Sequence, residues 1–237
     1  MAFYSDFAGH YEKVFPFRDG VFHFLDGRLP PKGRVLDIGC GTGGYCGRLI
    51  SNGRTCLGID LDPGMIEVAQ AANPGSEYRI LDMAAIGVLA PTSFTGIFCL
   101  GNVLPHLPSA DLAGFLAAVW KLLVPGGIWI FQTVNFDPLL VTHRYDFPVL
   151  EIPEASLQFH RSYQDITSKS LLFSTHLVQG GQRLFSGETT LYPHTAREFL
   201  AANREADFTL LDHFADYMET PYDPLVRSGN VMVFRKG

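Results

Sequence analysis

The stretch Val35-Leu36-Asp37-Ile38-Gly39-Cys40-Gly41-Thr42-Gly43-Gly44 decides how this chain is read. An apolar strand runs into an acidic residue and then into glycines at every second position. Glycine permits the torsions of a tight turn and lets a ligand come close to the main chain. The strand should therefore stop where the glycines begin, and a helix should start near Tyr45. Any dinucleotide-type fold shares that pattern. Asp37 narrows it, because its carboxylate lies at the mouth of the loop, where it repels a pyrophosphate and attracts an ammonium group.

Outward from the loop, short apolar runs alternate with helical patterns. Strands are expected at Arg34–Ile38, Thr55–Ile59, Tyr78–Leu81, Gly96–Leu100 and Ile128–Val134. Between them, helices are expected over Tyr45–Ser51, after Asp62-Pro63, and from a Ser109 cap through Leu112, Phe115, Leu116, Val119, Leu122 and Leu123. Pro125-Gly126-Gly127 is expected to stop the last of these helices. Repeated strand–helix–strand units imply a parallel sheet covered on both faces.

After Asn135 the pattern changes. Gln158–Asp165, Ser170–Gln179 and Gln182–Tyr192 read as three antiparallel strands, with Gly180-Gly181 as a hairpin turn. Thr195-Ala196-Arg197-Glu198 reads as a capping box opening another helix. Phe208–Phe214 and Asn230–Arg235 should add a final antiparallel pair. The expectation is one domain over 1–237: N-terminal lid helices in 1–33, a ligand-binding core in 34–135, an antiparallel cap in 136–193, and a closing helix with two strands in 194–237.

The chain has 237 residues, 47% of them hydrophobic and 18% charged, enough to bury a sizeable core, and a net charge of −6. No Lys/Arg cluster appears, which disfavours nucleic acid as a partner. Cys40, Cys46, Cys56 and Cys99 form no C-x-x-C pair and have no zinc-finger spacing. They read as thiols of a reducing compartment, and no metal site is expected. Neither a leader pattern nor a bilayer-length apolar run is seen, so the expectation is a cytoplasmic protein off the membrane.

In an open parallel sheet, ligands bind at the carboxyl ends of the strands. Three of those ends carry Asp37, Asp60 and Asp82. Asp60 stands about 20 residues after Gly39, the spacing of an acidic residue that holds ribose hydroxyls. Asp82, one strand further out, is where an adenine amino group would fall. The ligand that fits is a nucleoside with a positively charged amino-acid tail and no phosphates.

These residues resemble the class I S-adenosylmethionine-dependent methyltransferases of small-molecule type. Val35–Gly44 is similar to the family's first motif, Gly58–Ala69 to its second and Leu81-Asp82-Met83 to its third. The Leu-Leu-Val-Pro-Gly-Gly stretch before the fifth strand is typical as well. The resemblance covers roughly Arg34 to Val134. It implies a Rossmann-like α/β fold with a mostly parallel seven-stranded sheet, here with an antiparallel β insertion after strand five. It implies S-adenosyl-L-methionine as cofactor, leaving as S-adenosyl-L-homocysteine. The binding set it implies is Asp37, Gly39, Cys40, Gly41, Gly43, Asp60, Leu61, Met65, Asp82, Met83, Gly101 and Asn102. For Met65, core packing competes with cofactor packing.

The expected reaction is methyl transfer to a nitrogen or oxygen of a small-molecule acceptor, by a monomer or homodimer. Rival readings are carbon methylation of a quinone-like or lipid acceptor, methylation of a modified tRNA base, and cofactor binding without catalysis. Gly101–Leu107 lacks the motif of exocyclic-amine enzymes of nucleobases, and Cys99 is not followed by the proline of a cytosine C5 enzyme. His106 is the candidate base. Tyr4, Tyr11, Asn135, Arg161 and Tyr163 are the candidate acceptor-facing residues. Strand alternation puts Phe159, Arg161 and Tyr163 on one face and His160 and Ser162 on the other.

Overall fold

The computed structural model describes residues 8–237. Two helices, α1 (Ala8–Val14) and α2 (Asp19–Arg28), precede an alternation of β1 (Gly33–Ile38), α3 (Gly44–Ser51), β2 (Arg54–Asp60), α4 (Pro63–Ala72), β3 (Glu77–Ile80), β4 (Phe94–Cys99), α5 (Leu112–Leu122) and β5 (Leu123–Val134). Five antiparallel strands follow: β6 (Tyr145–Asp146), β7 (Leu150–Ile152), β8 (Leu157–Gln164), β9 (Leu171–Gln179) and β10 (Gln182–Leu191). Helix α6 (Ala196–Glu205) and strands β11 (Phe208–Phe214) and β12 (Gly229–Lys236) complete the chain.

The main sheet has seven strands in the order β11-β12-β5-β4-β1-β2-β3. Strands β5, β4, β1, β2 and β3 are parallel, while β12 runs antiparallel to both β5 and β11. Strand β1 pairs with β2 on one side and β4 on the other, so the strand order reverses there and a crevice opens at its carboxyl end. Helices cover both faces. Leu116, Val119, Trp129, Phe131 and Phe199 fill one side, and Leu25, Leu49, Cys56 and Ala69 the other. Val35, Leu36 and Ile38 of β1 are wholly buried, as expected of a parallel strand covered on both faces.

Local sequence sets several boundaries. Asp62 accepts from the Gly64 and Met65 amides (2.8 and 3.2 Å) and Pro63 occupies the first helical position, which starts α4. Thr195 and Glu198 form the reciprocal capping box of α6. Gly180 and Gly181, both at positive φ, turn β9 into β10.

Other expectations are corrected. Ser109 opens a 3₁₀ turn and makes no cap bond to α5, which begins at Leu112. Helix α5 ends before Pro125-Gly126-Gly127, which lie inside β5. A bulge flanked by the Phe94–Leu123 and Gly96–Ile128 pairs carries the strand past these residues. Strand β3 stops at Ile80, because Asp82 caps a following 3₁₀ turn. The antiparallel segment has five strands where three were expected, the two short ones lying along β8.

The antiparallel sheet is tied to the core at several points. Val14 of α1, Met65 of α4 and Leu157, Phe159, Leu177 and Phe185 of the sheet share one apolar cluster. The Tyr192 amide donates to the Pro105 carbonyl at 2.7 Å. The opposite face of the sheet is polar. There His160 and His176 stack at 4.3 Å, and Gln164 bridges Ser162 and Ser174. Among the described residues, no helix is long and apolar enough to cross a membrane.

Candidate active site

The carboxyl ends of β1, β2, β4 and β5 converge on the glycine loop. The amides of Gly39 and Cys40 donate to the Ile59 carbonyl (2.8 and 2.9 Å), which pins the loop to β2. Gly43 has φ +77°, and a side chain there would run into the Tyr78 ring. The Tyr78 hydroxyl donates to the Gly43 carbonyl at 3.1 Å and closes the loop from below. This position admits only glycine on both counts.

Asp37 is 4% exposed. Its one hydrogen-bond contact among the described residues is the Cys46 thiol, 3.7 Å from Oδ2. Burial pushes its pKa up to about 8, and the charge of Asp60 adds to the rise. Asp60 is raised too, chiefly by burial, against the amides that hold it. Its Oδ2 accepts from the Gly41 amide (2.9 Å) and Oδ1 from the Asp62 amide (3.0 Å). Each oxygen retains acceptor capacity. Cys40 lies half-buried beside them, its thiol raised by desolvation and by both carboxylates.

The remaining expected cofactor residues spread around this centre. Leu61 projects from the end of β2, 60% exposed. Met65 is buried in the cluster joining α1, α4 and the antiparallel sheet, so it is a packing residue there. Asp82 is exposed and accepts from the Ala84 amide at 2.8 Å, while Met83 packs against the core. The Gly101 amide donates to Gln132 Oε1 at 2.9 Å. Asn102 holds a left-handed backbone (φ +64°); its Oδ1 accepts from the Val134 amide (2.8 Å) and its Nδ2 donates to the Tyr163 hydroxyl (3.0 Å).

Of the candidate acceptor residues, Tyr4 lies outside the described residues. Tyr11 of α1 packs its ring against Gly41, and its phenol is raised by burial and then by Asp60 and Asp37. Next to it, Glu12 accepts from the Thr42 hydroxyl and fastens α1 to the loop. His106 sits in the 3₁₀ turn Leu104–His106, where burial pulls its pKa down to about 4. Asn135 is 1% exposed and fully engaged. Its Nδ2 donates to the Asp223 and Val226 carbonyls, and its Oδ1 accepts from the Tyr222 hydroxyl and the Asp137 amide. Its amide therefore anchors the segment before β12 and has nothing to offer an acceptor.

Tyr163 is also fully buried, its ring set among Phe136, Phe147 and Phe173. Arg161 shares its face of β8, beside the rings of Phe147 and Phe159.

Three further side chains come to this mouth from distant parts of the chain. Arg18 acts on the Tyr45 phenol at the start of α3 and lies 5.7 Å from the Tyr217 ring centroid. Tyr217 is raised by burial and feels the Asp37 charge. Gln132 receives the Gly101 amide. No local signal marks any of the three, because tertiary folding alone brings them together.

A methyltransferase-domain family model matches residues 35–127. The ubiquinone biosynthesis O-methyltransferase of Paracidovorax citrulli (strain AAC00-1) is 36% identical over 118 residues, 47% of this chain and 48% of its own length. The protein of the same name from Pseudomonas fluorescens (strain SBW25) is 32% identical over 121 residues, 49% and 51% of the two chains. The chain thus spans about half the length of the curated relatives it matches. Among solved structures, an S-adenosylmethionine-dependent methyltransferase from Clostridium acetobutylicum ATCC 824 superposes with TM-score 0.80 at 18% identity over 99% of both chains. The SAM-bound amino pentose methyltransferase CalS10 from Micromonospora echinaspora gives 0.70 at 19% identity, over 92% of this chain and 89% of its own. At these identities the likeness is one of fold.

Proposed function

We propose that this chain, which carries the domain and the fold of the class I S-adenosylmethionine-dependent methyltransferases, transfers a methyl group to an oxygen or nitrogen of a small-molecule acceptor. The observation that carries the reading is Asp37. A carboxylate this deeply buried, with a thiol as its only hydrogen-bonding neighbour among the described residues, is an incomplete ion pair. An ammonium group completes it, and a phosphate would make it worse. Arg18, the cation at the same mouth, suits the carboxylate of the same amino-acid tail.

The other roles are assigned to the same crevice. The backbone of Gly39, Cys40, Gly41 and Gly43 gives close approach. Asp60, with acceptor capacity left on both oxygens, suits a pair of vicinal hydroxyls. We assign Asp82 and Met83 to the adenine edge, Leu61 beside it, and Gly101 and Asn102 to the opposite wall. When bound, S-adenosylmethionine supplies an activated methyl on a sulfonium whose departure as a neutral thioether needs no acid. The protein's work is alignment, exclusion of water and removal of the acceptor's proton; alignment alone is worth about 7–11 kcal/mol. His106 is neutral above about pH 5, so its imidazole is ready to take that proton at physiological pH. We take the protein to act as a monomer or homodimer in the cytoplasm.

The test is incubation with isotope-labelled cofactor and a metabolite extract, read by mass spectrometry. The expected result is a labelled small molecule bearing one added methyl group. Label found only in unconverted cofactor would overturn the assignment.

A further inference from the structure

Arg161 combines partial burial with the lack of a carboxylate partner among the described residues. Arg28, Arg34, Arg54, Arg79 and Arg144 each lie against an Asp or Glu. Arg161, though half-buried, has no carboxylate partner among the described residues. Its one hydrogen bond is a long one, 3.4 Å from Nη2 to the Pro148 carbonyl. Its Nε is buried and has no acceptor. Its neighbouring polar groups are the neutral phenols of Tyr163 and Tyr145. A guanidinium withdrawn from water and left unmatched is costly, so a missing partner is implied.

Its position says where that partner comes from. Side chains alternate along β8, and Arg161 shares its inward face with Phe159 and Tyr163. Phe159 meets Phe15 just beyond α1 at 5.5 Å, and Tyr163 bonds Asn102 at the carboxyl end of β4. Arg161 therefore stands on the inner face of the cap, between its contacts with the N-terminal segment and with the reaction end of the core. The guanidinium lies 5.0 Å from the Phe147 ring centroid and 5.9 Å from that of Phe159, which line its approach with apolar surface.

We infer that Arg161 is the acceptor's anion-binding residue, and that the acceptor is a small aromatic or apolar molecule bearing a carboxylate. The inference rests on the methyltransferase reading above. The Nε–H and one Nη–H of a guanidinium form a planar fork that matches two carboxylate oxygens. A phosphate dianion fits less well, because a single guanidinium would leave one of its two charges unmatched. The aromatic rings beside Arg161 suit a planar apolar body.

The test is calorimetric titration of the protein saturated with S-adenosylhomocysteine. Benzoate, 3,4-dihydroxybenzoate and 4-hydroxyphenylacetate are each compared with the corresponding primary amide. At least one acid should bind tenfold or more tightly than its amide. Arg161→Met should abolish that preference and Arg161→Lys should keep part of it, with affinity for S-adenosylhomocysteine unchanged in both and melting temperature not lowered in either. Equal binding of acids and amides, binding of neither, or a preference that survives Arg161→Met would overturn the inference and leave the methyltransferase reading intact. Should Arg161→Met not fold, the acid–amide difference in the parent protein and its reduction in Arg161→Lys decide the matter. Failure of S-adenosylhomocysteine itself to bind would overturn the underlying reading and this inference with it.

Discussion

A carboxylate buried as deeply as Asp37 cannot keep its charge without a cation beside it. Its pKa of about 8, against an ordinary 3.8, has a direct thermodynamic consequence. Between about pH 4 and 8 the folded, ligand-free chain holds a proton that the unfolded chain has released. Its stability therefore falls as pH rises through that window. Asp37→Asn should flatten this slope, seen as melting temperature against pH. Binding an ammonium group should restore the charge, so S-adenosylhomocysteine binding at pH 7 should release up to one proton. Calorimetry in two buffers of different ionisation enthalpy measures that release, and Asp37→Asn should lose it. His106 gives a second pH signature. Held near a pKa of 4, it should sustain turnover from neutral pH down to about pH 5 and lose it below, as the imidazole protonates. His106→Gln should slow turnover by about 10²–10⁴-fold with cofactor affinity unchanged, and undiminished turnover would remove it as the base. Asp37 and Asp60 were legible in the sequence because strand, loop and carboxylate are contiguous. Arg18, Gln132 and Tyr217 were not, since chain separation hides a contact that only folding makes.

At the scale of elements, Asn102 is the joint between the core and the antiparallel sheet. It holds the left-handed backbone after β4, satisfies the Val134 amide and receives the cap through Tyr163. Asn102→Ala should leave that amide unpaired and strain the backbone, at about 1–3 kcal/mol for the lost partner alone. Tyr163→Phe, which removes one hydroxyl, should cost about 0.5–1.5 kcal/mol. Chemical denaturation of the two variants checks the order. Element identity was readable wherever short-range chemistry rules, as at the Asp62-Pro63 start of α4 and the Thr195–Glu198 box of α6. It failed at Pro125-Gly126-Gly127, which looked like a helix stop and lies within β5. The chain stays extended there through a bulge flanked by the Phe94–Leu123 and Gly96–Ile128 pairs. The short strands β6 and β7 were not legible, for they exist by pairing along β8 and carry no periodicity of their own.

At the scale of the molecule, the strand order reverses beside β1, and the glycine loop, the Asp37 and Asp60 carboxylates and the Asn102–Tyr163 attachment of the cap lie at the carboxyl end of the sheet. The alternation of strands and helices made this architecture readable. The cap was harder, because its inner face mixes apolar residues with Arg161, and its polar outer face shows the same alternation. The account depends on the crevice accepting a nucleoside with a zwitterionic tail in preference to a dinucleotide. Calorimetric titration of the whole protein with S-adenosylhomocysteine and, separately, with NAD measures this most directly. Saturable binding of S-adenosylhomocysteine, weakened about 10–100-fold by Asp60→Ala through lost hydrogen bonds to a charged group, with no binding of NAD, is the predicted result. Binding of NAD with S-adenosylhomocysteine inert would contradict it.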